Sequence, residues 1–161
     1  MGAGKTTVGR ALARRLGWTF EDVDERIQSR EARTIEQIFR TLGEAAFRVV
    51  EHETIRELLA ERGSSRLIVA LGGGAIAQAE NAAMLRDSGF PIVFLDAPVA
   101  ELWQRCKEQG IERPLCRRIE EFHELYRARQ AQYKAAGLRV DTSGKDIATV
   151  AAEVACSLGL E

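Results

Sequence analysis

The first residues of the chain have the composition of a loop that binds phosphate groups. Residues 2–6, Gly-Ala-Gly-Lys-Thr, match the second half of the pattern Gly-x-x-x-x-Gly-Lys-Ser/Thr. Small residues let backbone N–H groups converge on phosphate oxygens, while Lys5 is placed to contact the terminal phosphates and Thr6 to ligate Mg²⁺. A helical pattern begins at Lys5, so the positive end of a helix points at the same place. The segment predicts a site for a nucleoside triphosphate and Mg²⁺, and a glycine-rich tail is the plain structural alternative.

Two carboxylates and a run of glycines follow predicted strands. Asp22 and Asp24 follow a short strand predicted over 18–22, and residues 72–74, all glycine, end the most apolar strand. Open α/β sheets bind ligands at such carboxyl ends. On a loop, one carboxylate can hold Mg²⁺ through water while the other accepts the proton of an attacking hydroxyl. The glycines suggest close approach of a ligand to the backbone, although solvated or flexible turns have the same compositions.

Two arginines could bind anions. Arg48 lies one turn into a predicted helix, where its planar guanidinium could fork onto a carboxylate. Arg113 lies in a polar segment of about residues 109–118, between two predicted helices. Phosphate-transfer enzymes often use such a segment as a lid that carries an arginine to the transferring group.

Strands that alternate with helices must position these residues. The apolar runs 67–71 and 91–95 are typical of strands buried on both faces of a parallel sheet, and each precedes a helical pattern. This order predicts the α/β class. Together with the phosphate loop, it predicts a P-loop NTPase-like three-layer α/β/α sandwich that forms one domain over residues 1–161.

The phosphate-loop pattern is incomplete at its start. Its first glycine would lie two residues before Met1, and the strand that normally feeds the loop, usually the central one, is absent from the sequence. We expect Met1 to be an internal methionine of a longer protein or a misassigned start. An upstream apolar strand and glycine should then raise stability and nucleotide affinity.

The composition argues against several classes of protein. The formal net charge is −1 without a clustered basic excess, which argues against nucleic-acid binding. No apolar run approaches the length of about 20 residues that a membrane span needs. Cys106, Cys116 and Cys156 have neither zinc-site spacing nor an even count, and we interpret them as reduced thiols of a cytoplasmic protein.

In combination, these motifs resemble those of the shikimate kinases, and the resemblance covers essentially the whole chain. The motifs are Gly-x-Gly-Lys-Thr at 2–6, Asp-x-Asp at 22–24, Gly-Glu-x-x-Phe-Arg at 43–48, Leu-Gly-Gly-Gly at 71–74, Arg-Pro-Leu at 113–115, and Arg-x-x-x-Tyr at 129–133 before Val-Asp-Thr at 140–142. Any one of them is modest evidence, whereas six in sequence are specific. The resemblance implies transfer of the γ-phosphate of ATP to the 3-hydroxyl of shikimate, in the chorismate pathway to aromatic amino acids.

The resemblance also implies roles for residues around ATP. Lys5 would contact the β- and γ-phosphates, and Thr6 would ligate Mg²⁺ with Asp22 assisting through water. Arg113 would be the lid arginine that neutralises the moving phosphoryl group, and Arg105 would flank the adenine. The other nucleotide-binding residues that it implies are Gly2, Ala3, Gly4 and Thr7.

On the acceptor side, the resemblance implies a pocket for an anionic substrate. Asp24 would bind the shikimate hydroxyls and act as base or orienter for the 3-hydroxyl. Arg48 and Arg129 would grip the carboxylate, and the backbone of Gly72, Gly73 and Gly74 would line the same pocket. We expect a monomer whose partners are shikimate and ATP.

Two other interpretations remain open. Another small-molecule P-loop kinase, for gluconate or a nucleoside monophosphate, would share the phosphate loop and the lid but not the other motifs. A noncatalytic nucleotide-binding module would need neither Asp24 nor Arg113, and the incomplete phosphate loop is compatible with it.

Overall fold

A computed structural model describes residues 2–61, 66–108 and 118–160. These ranges contain seven α-helices and four strands that alternate for much of the chain. In order they are α1 (Lys5–Leu16), β1 (Thr19–Asp22), α2 (Val23–Glu31), α3 (Ile35–Glu61), β2 (Leu67–Ala70), α4 (Ala79–Asp87), β3 (Val93–Asp96), α5 (Val99–Glu108), α6 (Ile119–Ala136), β4 (Leu138–Asp141) and α7 (Ile147–Ser157). A 3₁₀ turn, Ala75–Ala77, precedes α4. The α/β class predicted from the sequence is confirmed.

The four strands form two parallel pairs. Strand β1 pairs with β2 from Thr19 opposite Leu67, and β3 pairs with β4 from Val93 opposite Leu138. Within the described residues, no backbone ladder joins β2 to β3. The single parallel sheet that the sequence predicted is therefore present as two parallel pairs.

Helices cover both faces of these strands. One apolar cluster joins α1, α5, α6 and α7 and contacts Ile68 of β2 and Val93 of β3. A second cluster joins α2, α3 and α4 and contacts Val69 of β2 and Ile92, next to β3. Adjacent residues of a strand point to opposite faces. The alternating partners thus confirm the three-layer α/β/α arrangement.

Two helix limits are set by caps whose residue types are visible in the sequence. Gly17 ends α1 in the left-handed conformation, with a φ of 65°. At the start of α3, the Gln37 N–H donates to Thr34 Oγ1 at 3.2 Å, and the Thr34 N–H donates to Gln37 Oε1 at 2.9 Å. Gly43, with a φ of 82° and a ψ of 170°, breaks α3 into two segments, and Arg48 lies in the second of them.

Helix length bears on the question of membrane insertion. In the portions of the chain that the structure describes, no helix combines the length and the apolar character needed to cross a bilayer.

Candidate active site

The phosphate loop depends on two glycines with positive φ. Gly2 has a φ of 66° and Gly4 a φ of 79°, and α1 begins directly after them at Lys5. These angles favour glycine and turn successive backbone groups toward the start of the helix. A Cβ at Gly2 would also collide with the backbone oxygen of Leu102 and lie 2.9 Å from Cys106 Sγ. The loop is therefore packed directly on α5.

Asp22 links the phosphate loop to the next helix. Its Oδ2 accepts a hydrogen bond from Thr6 Oγ1 at 2.6 Å. Its Oδ1 accepts from the backbone N–H groups of Asp24 at 2.9 Å and Glu25 at 3.3 Å. The prediction that both carboxylates lie on a loop is wrong, because Asp22 caps α2 and Asp24 lies in its first turn. A capping carboxylate satisfies N–H groups that the start of a helix leaves without partners.

The Thr6–Asp22 pair fits the chemistry of Mg²⁺. Magnesium takes oxygen ligands, keeps several waters, and needs only one or two protein groups besides the phosphates of a nucleotide. The Thr6 hydroxyl at the start of α1 and the Asp22 carboxylate are 2.6 Å apart, so they meet that requirement.

The turn of residues 72–74 leaves room for polar side chains from two helices. A Cβ on Gly72 would lie 2.6 Å from Glu51 Oε1 and 3.1 Å from Asp24 Oδ1. A Cβ on Gly74 would lie 2.5 Å from Arg48 Nη2 and 2.7 Å from Nη1. The absence of side chains on the turn therefore lets Asp24, Glu51 and Arg48 approach the backbone.

Helix α6 supplies a second arginine to the same turn. Arg129 is buried, with 9% of its surface exposed, and its Nη1 donates to the Gly73 carbonyl at 3.2 Å. The structure thus brings Asp24, Arg48, residues 72–74 and Arg129 together around one turn. Asp24 lies two residues after Asp22, so this group of residues adjoins the phosphate loop.

Glu51 belongs to the same group and was not identified from the sequence. Its side chain is fully buried, and its Oε2 accepts from Arg48 Nη1 at 2.7 Å. Glu44 Oε1 accepts two further hydrogen bonds from Arg48, from Nη2 at 3.0 Å and from Nε at 3.3 Å. Glu51 Oε1 has no hydrogen-bond partner among the described residues. One signal could have found Glu51, namely its place four residues from the buried Phe47 and Ile55 on the apolar face of α3.

The ionisation of Glu51 is coupled to its surroundings. Burial raises the pKa of Glu51 above its usual value, while the hydrogen bond and charge of Arg48 act in the opposite direction. The charge of Asp24 also raises this pKa, and that of Arg129 lowers it. Four ionisable groups therefore interact around the turn of residues 72–74.

Replacing Glu51 by Gln should change how stability depends on pH. Because the pKa of Glu51 is raised in the folded state, the folded protein binds the proton of this carboxyl more tightly than the unfolded chain does. Its contribution to stability is full below the usual pKa of 4.5 and is lost as pH rises through the higher folded-state value. We expect the Tm of the wild type to fall relative to that of Glu51→Gln over this window, in thermal unfolding scans from pH 4.5 upward.

Glu44→Gln is the matched control for that comparison. Glu44 also pairs with Arg48, but 47% of its side chain is exposed. This variant reports the effect of losing an Arg48 partner at the surface, without removing a buried carboxyl. A wild-type Tm that rises relative to Glu51→Gln with increasing pH would contradict the assignment.

Arg105 lies near the phosphate loop but has protein partners. Its Nη1 donates to Thr142 Oγ1 at 2.9 Å, and its Nη2 donates to Glu101 Oε1 at 2.5 Å and to the Thr142 carbonyl at 2.9 Å. It follows Leu102 on α5, the helix on which Gly2 packs. A contact with adenine stays a prediction. Arg113 and Cys116 lie outside the described residues, as does the predicted lid except Arg118, which caps α6.

Known proteins resemble this chain over nearly its whole length, which includes the residues of this site. Residues 1–158 match the family model described as shikimate kinase. The shikimate kinase of Geobacter sulfurreducens is 42% identical over 158 residues, which cover 96% of this chain and 84% of that protein. The shikimate kinase of Persephonella marina is 40% identical over 146 residues, covering 90% of this chain and 86% of that protein.

Solved structures agree with the sequence comparisons. A shikimate kinase from Acinetobacter baumannii, in complex with shikimate, superposes with a TM-score of 0.90 at 34% identity, covering 99% of this chain and 89% of that one. The shikimate kinase of Aquifex aeolicus superposes with a TM-score of 0.82 at 33% identity, covering 99% and 91%. The match thus includes the phosphate loop, Asp22 and Asp24 at the junction of β1 and α2, and the turn after β2. The chain belongs to the shikimate kinase family.

Proposed function

We propose that this chain transfers the γ-phosphate of ATP to the 3-hydroxyl of shikimate, giving shikimate 3-phosphate and ADP. The observation that supports this most strongly is the convergence of Asp24, Arg48 and Arg129 on the turn of residues 72–74. Two guanidinium groups beside a carboxylate suit a ligand that carries both an acid group and hydroxyls. The phosphate loop lies next to them through the Thr6–Asp22 contact.

The acceptor side of the pocket orients the substrate. Arg48 and Arg129 bind the substrate carboxylate, because planar guanidinium groups match its two oxygens. Glu51 holds Arg48 in place from the buried side through a hydrogen bond of 2.7 Å. The glycine turn lines the pocket with backbone only, so the ring of the substrate can approach it closely.

Asp24 acts on the attacking hydroxyl. Its carboxylate accepts the hydrogen bond of the 3-hydroxyl and takes the proton as the oxygen bonds to phosphorus. Its position in the first turn of α2, whose start is fixed by Asp22, holds it at a set distance from Thr6. Phosphoryl transfer depends chiefly on such in-line placement.

The phosphate side supplies positive charge. Backbone N–H groups of Gly2, Ala3 and Gly4 face the phosphates, Lys5 contacts the β- and γ-phosphates, and Thr7 adds a hydroxyl at the start of α1. Thr6 and Asp22 would hold Mg²⁺, Asp22 through water, and the ion would supply positive charge to the phosphate oxygens. Arg113, from the predicted lid, completes the neutralisation as the phosphoryl group moves.

We also propose a single kinase domain over residues 1–161 that works as a monomer in the cytoplasm. Cys106 and Cys156, the described cysteines, are free thiols, which supports a reducing compartment.

A coupled assay of ADP release tests this function. We expect ADP release with ATP, Mg²⁺ and shikimate, none with EDTA, and far less with gluconate or AMP as acceptor. Mass spectrometry should then detect shikimate 3-phosphate. Comparable kcat/KM with gluconate or AMP would favour another small-molecule kinase, and ATP binding without turnover for any acceptor would favour a noncatalytic module.

A further inference from the structure

Two residues of α6 hold the glycine turn through the carbonyl of Gly73. The carbonyl of Gly73 accepts a hydrogen bond from Arg129 Nη1 at 3.2 Å and another from the hydroxyl of Tyr133. Arg129 and Tyr133 are four residues apart, so they lie on the same face of the helix. A carbonyl oxygen accepts two hydrogen bonds. Arg129 and Tyr133 together therefore satisfy that oxygen.

The ring of Tyr133 is fixed as well as its hydroxyl. It packs on Phe94 of β3 with ring centroids 5.0 Å apart and an angle of 31° between the planes. The side chain is half-buried. Tyr133 therefore ties three elements together: α6, strand β3 and the turn that follows β2.

We propose that Tyr133 is a positioning residue for the acceptor site, which acts by fixing the Gly73 carbonyl against which Arg129 is aligned. This inference rests on the proposed function, in which Arg129 binds the substrate carboxylate. A guanidinium has five N–H groups. One N–H directed to a fixed carbonyl restricts the positions that this planar group, and with it the other four N–H groups, can adopt. Arg48 is aligned by the same turn, because its guanidinium packs where a Gly74 side chain would lie.

Tyr133→Phe tests the proposal, since it removes the hydroxyl and keeps the ring on Phe94. A neutral hydrogen bond contributes modestly, so we expect the KM for shikimate to rise by about 3- to 10-fold. The kcat and the KM for ATP should stay close to their wild-type values, because Asp24 and the phosphate loop are untouched. Isothermal titration with shikimate should show the same loss of affinity without turnover.

Tyr126→Phe provides the matched control on the same helix. Tyr126 is buried, and its hydroxyl donates to Asp96 Oδ1 at 2.6 Å, away from the glycine turn. Its loss should lower the Tm and leave the KM for shikimate unchanged. The pair of variants separates positioning of the acceptor site from general stabilisation of α6.

A double-mutant cycle tests whether Tyr133 affects shikimate binding through Arg129. If Tyr133 acts through Arg129, then Tyr133→Phe should weaken shikimate binding less in an Arg129→Lys background than in the wild type. Equal and additive effects would overturn the proposal. So would a Tyr133→Phe variant with an unchanged KM for shikimate, or one in which the KM values for shikimate and ATP rise together.

The same measurements distinguish this proposal from the proposed function. A wild-type chain that neither binds nor phosphorylates shikimate would refute both. If the wild type binds shikimate and the Tyr133→Phe variant binds it equally well, the role of Tyr133 is refuted and the proposed function stands.

Discussion

Replacing Asp24 by Asn should lower kcat with shikimate by about 10²- to 10⁴-fold, the usual contribution of a positioned general base. Asparagine keeps the size of the side chain and can still hydrogen-bond the hydroxyl, but it cannot take up its proton at neutral pH. ATP affinity should persist, since the contact between Thr6 and Asp22 does not involve the Asp24 side chain. Steady-state ADP release, together with titration of the nucleotide, measures both quantities.

Glu25→Gln is the control for the Asp24 variant. Glu25 lies next to Asp24 in the first turn of α2, and its carboxylate pairs with Arg10 at the surface. Loss of that charge should leave kcat unchanged. A kcat of Asp24→Asn close to that of the wild type would refute the role of Asp24 as base.

Replacing Arg48 by Lys should raise the KM for shikimate by about 10- to 100-fold, as expected for loss of a charge-assisted hydrogen bond. Lysine keeps the positive charge but loses the planar fork that contacts two oxygens at once. In the structure the guanidinium also spans Glu44 and Glu51, at 3.0 and 2.7 Å. An ammonium cannot make the same set of contacts, and the buried Glu51 would lose part of its pairing.

Initial rates at varied shikimate and ATP measure that effect, with Arg56→Lys as the control. Arg56 lies on the same helix, 58% of its side chain is exposed, and it pairs with Glu53. Its replacement should change neither KM. An Arg48→Lys enzyme with a wild-type KM for shikimate would show that the carboxylate binds elsewhere.

The sequence predicted the strands and helix caps well because each has a local signal. Continuous apolar runs marked β2 and β3, Gly17 marked the end of α1, and the Thr34–Gln37 pair marked the start of α3. The sequence also predicted which residues meet around the glycine turn. That prediction depended on the order of several motifs, since no single one specified a pocket.

Helix α2 was missed because its apolar face is small. Only Val23 and Ile27 of the helix are buried, so periodicity gave little indication of a helix. The available signal was Asp22 followed by Glu25, an acidic cap with glutamate three residues later. The presence of α2 places Asp24 on a rigid element rather than on a loop.

Glu51 and Tyr133 were not assigned from the sequence because residue types do not show which groups these side chains contact. A glutamate on a charged helix is normally expected at the surface, and full burial depends on Arg48 being nearby. Tyr133 was visible as part of a motif, but its partner is the backbone carbonyl of Gly73. Tertiary packing decides which carbonyl it meets.

The two oxygens of Asp22 contact different elements, and this joins the two sides of the proposed site. Oδ1 accepts hydrogen bonds from the first turn of α2, which carries Asp24, and Oδ2 accepts one from Thr6 of α1. In the proposed function, Arg48 of α3 and Arg129 of α6 bind the substrate carboxylate, whereas Asp24 of α2 acts on the hydroxyl. Substitutions in α3 and α6 would therefore change the groups that bind the acid end of the acceptor while Thr6, Asp22 and Asp24 keep their places, which makes α3 the place to begin when redirecting this scaffold to an alcohol with a different second group.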